Sequence, residues 1–382
     1  CVSETLAPTM LQFLQGKMFG NQKIPEGWII VAAGNPPEYN KSVREFDIVT
    51  LDRVRRMDIE ADLDVWMEYA WKKEIHGSIL AYLGMKKDHF YSVENTVDGK
   101  FFVTARGWED LSEILKAYEE LGVEITENLI GEYLCRDEIA RSFFASYQLY
   151  RKYGEDYGLK RLLSGEMAEE EQQKKVKMAE GASFEERFLV TGLLLSGLNG
   201  SFLDYEKLDK ETGAVYQELL HLKAFLHDKK DMTALDEFTD VKKKSLAVRL
   251  EAELLNLEQQ TTEEFVIRTL EEFSLTIRKE HITDTETGFE RIRQLFTEMV
   301  EKRKDCAKKI SRELERAFAF MKACFGDGQE TVLFVTGLTR NSHAAAFIRE
   351  YGCDPYFACS EKLLYRKQEK KLQEECESLL KI

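Results

Sequence analysis

Proline is nearly missing from this sequence. Of 382 residues five are proline, and four of those (Pro8, Pro25, Pro36, Pro37) crowd the first tenth, leaving only Pro355 beyond them. The long interval between holds no residue that strips a helix of a backbone hydrogen bond, which favours helices there. Paired cysteines are lacking too. Cys1, Cys135, Cys306, Cys324, Cys353, Cys359 and Cys376 are odd in number and scattered, with no Cys-x-x-Cys and no nearby His pair. That excludes a disulfide framework and a zinc finger, and leaves free thiols in a reducing cytoplasm as the expectation. The longest nearly apolar run, "FLVTGLLLSGL" at 188–198, is too short to cross a bilayer as a helix, and no charged-then-apolar signal segment opens the chain. Positive charge is in deficit: the net charge of -15 works against sequence-independent binding to nucleic acid or to an anionic membrane.

What is present reads as a helix-rich globular chain of two or three domains, with 43% hydrophobic and 32% charged residues. "APTMLQFLQGK" predicts a helix stopped by Gly16, and "KMFGNQKIPEGWIIVAAGN" two extended pieces joined by a Gly- and Pro-containing turn. Trp28 to Ala33 is an apolar run without alternation, the pattern of a parallel strand buried on both faces. Further on, "FYSVENTVDGKFFVT" predicts a hairpin turning at Asp98-Gly99, and "ARGWEDLSEILKAYEELG" a helix closed by Gly122. A further helix is expected from Ile125 or Arg136 to Tyr157. Residues 166–187 are dense in charge and predict an exposed helical connector, and 188–382 reads as amphipathic helices whose heptads are too broken for one coiled coil. "VTGL" occurs twice, at 190–193 and 335–338, with flanks too different for a repeat.

With these features in order, "PTMLQFLQGKMFGNQKIPEGWIIVAAGNPPEYNKSVREFDIVTLDRVRRMDIEAD" resembles the second half of the nucleotide-binding core of MoxR-type AAA+ ATPases, and "VTARGWEDLS" is similar to the sensor-2 segment of their helical lid. The resemblance covers roughly residues 1–155. It implies a mainly α chain: a truncated α/β AAA+ core with few strands at 1–58, a helical lid with a small β-hairpin at 59–165, the connector at 166–187, and an all-α C-terminal region at 188–382. Asn35, ending an apolar strand, matches sensor 1, the polar residue that holds the attacking water or the γ-phosphate. Arg53 matches the arginine finger that one subunit inserts into its neighbour's site, although Arg44, Arg55 and Arg56 stand close by. Arg106 matches sensor 2, reaching the γ-phosphate from the first turn of a lid helix capped by Thr104. The competing readings are an Arg53 paired with Asp47, Asp52 or Asp58, and a surface Arg106 facing Glu109 or Asp110. Trp108 reads as lid core rather than ligand contact.

Neither Gly16-Lys17 nor Gly99-Lys100 is part of a Gly-x-x-x-x-Gly-Lys-Ser/Thr loop, and the Asp-Glu pairs at 137–138 and 236–237 follow no apolar strand. The resemblance therefore implies Walker A and Walker B motifs in residues preceding Cys1, and this chain alone holds no complete ATPase site. The whole protein is expected to bind ATP and Mg2+, to assemble as a homo-oligomeric ring, a hexamer in the family, and to remodel a protein client or work with a von Willebrand factor A-type partner. A membrane role is not expected and nucleic acid is disfavoured. The alternative is a non-enzymatic helical adaptor that retains an AAA+-like remnant. The six histidines are isolated from one another and from the cysteines, and read as surface or packed residues.

Overall fold

A computed structural model gives the fold for residues 16–34, 54–96, 99–227 and 231–362, together with Phe13, Asp52 and Lys229. The chain forms two units, Cys1–Ala61 and Asp62–Ile382.

In the first unit, β1 (Met18–Phe19) pairs antiparallel with β2 (Gln22–Lys23) around Gly20, whose φ of +57° suits a residue without Cβ. This ribbon turns at Gly20-Asn21, ahead of Pro25, so it is not the expected pair of extended pieces, whose joining turn contained a proline. The strand expected at Trp28 to Ala33 is not formed: the run pairs with no described strand and is exposed, 65% at Trp28, 83% at Ile29 and 81% at Val31. A parallel strand needs neighbours for its backbone donors and acceptors and for both faces, and the described part of this unit supplies none. The helix expected in "APTMLQFLQGK" lies outside the described residues save Phe13, Gly16 and Lys17.

The second unit is helical apart from one hairpin. It begins with α1 (Leu63–Lys72) and α2 (Gly77–Met85), then β3 (Ser92–Thr96) and β4 (Gly99–Val103). Gly99 pairs with Thr96, so it belongs to the ladder and not to the turn expected at Asp98-Gly99. Next come α3 (Ala105–Leu121), α4 (Glu127–Tyr133), α5 (Asp137–Tyr157), α6 (Leu159–Ser164) and α7 (Glu169–Glu180). Two very long helices follow, α8 (Phe184–Leu226, 43 residues) and α11 (Thr285–Phe325, 41 residues), separated by α9 (Ala234–Glu251) and α10 (Leu257–Lys279). The unit closes with α12 (Gln329–Arg340), α13 (Ser342–Tyr351) and a helical segment over 354–362.

Local chemistry sets the helix ends. Gly122 takes the left-handed conformation (φ +66°) that terminates α3, Ser183 and Asp284 cap α8 and α11, and Asn256 with Gln259 forms a reciprocal capping box on α10. The apolar run 188–198 lies inside α8, where Leu189, Val190, Leu194, Leu195 and Leu198 are buried on several sides because α2, α5 and α12 surround that stretch. Gly192 lets α2 approach: a Cβ there would stand 2.7 Å from that of Ala81. Gly337 plays the same part against Leu195, so both copies of "VTGL" put their glycine at a helix crossing.

Two hydrophobic cores result. The proximal core joins Trp108, Phe143 and Leu162 to Leu194, Phe202, Leu314, Phe334 and Phe347, residues from both sides of the interval 166–187. Helix α7 in that interval is charged and mostly exposed, with Ala179 buried where it meets α11. The distal core is a four-helix arrangement of the C-terminal half of α8, α9, α10 and the N-terminal part of α11. Since α8 enters it with its C-terminal half and α11 with its N-terminal half, the two long helices run antiparallel through both cores. Among the described residues no helix is long and apolar enough to cross a membrane, and Cys135, Cys306, Cys324, Cys353 and Cys359 are free thiols.

Candidate functional site

Arg106 is the one sequence-predicted site residue within the described residues; Asn35 and Arg53 lie outside them. It sits in the first turn of α3. The hydroxyl of Thr104 accepts from the Gly107 N–H at 3.2 Å, which fixes where the helix starts. Gly107 permits the carbonyl of Tyr133 to close on that turn, since a Cβ there would stand 2.8 Å from the Tyr133 oxygen. One residue later Trp108 is fully buried, edge-on to Phe143 with ring centroids 5.3 Å apart, and its indole N–H donates to the Phe90 carbonyl at 3.1 Å. With Leu111 and Leu115 also fully buried, this face of α3 is anchored in the proximal core, and Arg106 projects on the exposed side.

The surface pairing weighed for Arg106 is not made. Glu109 accepts instead from the Tyr69 hydroxyl at 2.7 Å, and that hydrogen bond, with burial, raises the Tyr69 pKa. Among the described residues Arg106 has no hydrogen-bond or ion-pair partner. An arginine held at the positive end of a capped helix, with its guanidinium unspent, can take an anion in a forked geometry. Of the neighbours of Arg53, Arg56 donates to Asp58 at 2.8 Å and both side chains are 71% exposed.

Behind α3 lies a polar cluster that single-residue reading of the histidines misses. His76 contacts Ser78 through Nδ1 at 2.7 Å and Glu119 through Nε2 at 3.1 Å, while its backbone N–H donates to the Ser112 hydroxyl at 2.8 Å. Glu119 also accepts from the Tyr147 hydroxyl at 2.8 Å. Burial pushes the Glu119 carboxyl up, but the hydrogen bonds from His76 and Tyr147 outweigh it and leave its pKa below the ordinary carboxylate value. Tyr147 moves the other way, raised by burial and then by its bond to the Glu119 carboxylate. Tyr150, packed beside them, is pushed up to about 12 by burial. The order Ser78, His76, Glu119 has the form of a nucleophile relay, yet Ser78 is 1% exposed, which closes its hydroxyl to a substrate. The cluster instead ties the C-terminal half of α3 to α2 and α5. The partners of His76 lie up to 43 residues away in sequence, so spacing gave no signal.

No protein-family model, no curated protein and no solved structure matches the chain. Among the described residues no group of three or more His, Cys, Asp or Glu is placed to hold a metal ion. With no phosphate-cradling loop in the sequence either, these residues do not by themselves fit Mg-ATP. Arg106 could contact a phosphate, and the rest of such a site would have to be supplied from elsewhere.

Proposed function

We propose that this chain is the sensor- and lid-bearing part of a MoxR-type AAA+ ATPase, which couples ATP hydrolysis in an oligomeric ring to remodelling of a protein client. The observation that carries the reading is the unpaired Arg106, presented from a capped first turn whose next residue, Trp108, is locked in the core. Such an arrangement suits a sensor 2, because a charge on a rigid helix transmits the presence of a γ-phosphate to everything packed behind it. The bare apolar run at 28–34 also supports it, as a strand sequence that waits for sheet neighbours. In this reading Asn35 orients the attacking water, Arg53 acts on the neighbouring subunit's nucleotide, and Arg106 couples the lid to the γ-phosphate; ATP and Mg2+ are the cofactors.

The test is ATP turnover by assembled rings of the protein with its Walker motifs. Arg53→Ala is expected to lower turnover by a factor on the order of 10³, the low end of what a finger contributes. Arg106→Ala is expected to lower it as well, without changing the unfolding free energy. Unchanged turnover in either variant would remove that residue from the site. The second reading, a helical adaptor without ATPase activity, rests on the absence of a P-loop from the sequence. It wins if the protein as expressed from its own start codon holds no P-loop and binds no ATP.

A further inference from the structure

A concentration of positive charge in this acidic protein lies far along the chain from Arg106. A groove of about 340 Å³ runs beside α11, lined by Asp305, Lys308, Lys309, Arg312 and Arg316 of that helix and by Ser164 at the end of α6. The α11 positions are spaced three, one, three and four residues apart, so they form one stripe on one helical face. Four cations face one carboxylate there, in a chain whose net charge is -15. The lining is also built. Arg316 donates from Nη1 to the Leu163 carbonyl at 2.8 Å, and its guanidinium lies where a Cβ on residue 165 would be, which only Gly165 (φ +78°) allows. Lys308 is paired with Asp305 at 3.0 Å, and Lys309 stands 3.7 Å from a Glu313 carboxylate that is buried and accepts from Ser201. Arg312 has no partner among the described residues, although Glu315 is exposed three residues on.

We propose that this groove binds a condensed phosphate chain. From Lys308 to Arg316 the cations extend over about 12 Å of helix, farther than a single phosphate can bridge, and Arg316 and Arg312 offer forked donors suited to phosphoryl oxygens. No aromatic side chain lines the groove, so nothing there would hold a nucleobase. The ligand is therefore recognised by its phosphates alone. Both inorganic polyphosphate and the triphosphate moiety of a nucleotide carry this chemistry, and the site is independent of the Arg106 reading.

Calorimetric titration of the 382-residue chain with inorganic tripolyphosphate, at fixed ionic strength, tests this. Saturable binding is expected, weakened about fivefold by Arg312→Gln, the ordinary effect of removing one exposed charge pairing. Lys308→Gln, Lys309→Gln and Arg312→Gln together should remove it. Arg349→Gln, which removes an exposed cation outside the groove, should leave it unchanged, and this separates the site from net charge. Equal affinity for a nucleoside triphosphate identifies the phosphates as the recognised part and supports the proposal. Orthophosphate competing as well as tripolyphosphate, or affinity untouched by the triple variant, overturns it. Lys308, Lys309 and Arg312 are exposed, so these variants should fold, and circular dichroism melting checks that they do.

Discussion

In the proximal core the large buried rings carry polar ends that need partners. Trp108 donates to the Phe90 carbonyl, Tyr147 to Glu119, and Tyr157 to Glu186 at 2.9 Å, while Asn341 and Asn199 meet through a buried side-chain bond of 2.6 Å. In the distal core the buried residues are chiefly Val215, Leu222, Leu235, Val266, Leu270, Phe273 and Ile277, with fewer polar groups: Thr239, Thr269 and Ser274 are buried, Ser274 donates to Asp236 at 2.6 Å, and Lys242 pairs with a largely buried Glu218. The same two helices thus pass through two kinds of interior. A core of satisfied polar groups accepts few alternative packings, because each misplacement leaves a buried donor or acceptor unpaired. An aliphatic core is held by area alone and tolerates repacking. The difference puts more of these constraints where Arg106 is presented and fewer at the far end, where Ser274 to Asp236 is a polar bond between helices.

The comparison can be broken most forcefully at Trp108. Trp108→Ala removes a fully buried ring and strands the Phe90 carbonyl, and should cost about 3–5 kcal/mol in urea unfolding. Leu270→Ala should cost about 2–5 kcal/mol by cavity formation, with hydrogen exchange accelerating in α9 and α10 while α2 and α3 stay protected. Equal loss of protection in both cores would show one cooperative unit and end the distinction. Asn256→Ala, which removes the capping box of α10, should cost about 1 kcal/mol and act on the distal part alone.

The smallest effect at neutral pH is expected from Glu119→Gln, and its value lies in its pH dependence. The Glu119 pKa is lowered in the folded chain, so between the ordinary value of 4.5 and its folded value the unfolded chain binds more protons. Its contribution is present above that range and is lost as pH falls through the folded pKa. Glu119→Gln should flatten this acid limb, measured as urea midpoint against pH. An unchanged limb would mean that the His76 and Tyr147 contacts do not stabilise the carboxylate.

Much of the second unit is legible in the sequence because its signals are local. Thr104 and Gly122 mark helix ends through bonds to residues three or four positions away, and the 92–103 hairpin follows from its alternation and its glycine, whereas the helix start at Asn256 was read through. Gly99 pairs in the ladder instead of sitting in the expected turn. Partners remote in sequence were not legible: His76 with Glu119, Asn199 with Asn341, and Arg303 with Glu350 join helices that no spacing rule connects. The apolar pattern at 28–34 misled in another way. Strand composition states what a segment can bury, and burial requires neighbours that the described residues do not contain. Of the three site residues, only Arg106 has a described environment; its capped turn was readable from Thr104, and its lack of a partner was not.

Helix α8 has a mechanical consequence. A 43-residue α-helix is about 65 Å long. Treated as a stiff rod pivoting at its proximal end, it turns a tilt of about 10° into a travel of about 11 Å at its tip, some two turns of helix. Paired with the antiparallel α11, it resists bending as a two-membered beam does. Small angular changes where α8 packs against α2 and α5 would therefore be delivered, magnified, to the surface of the distal bundle.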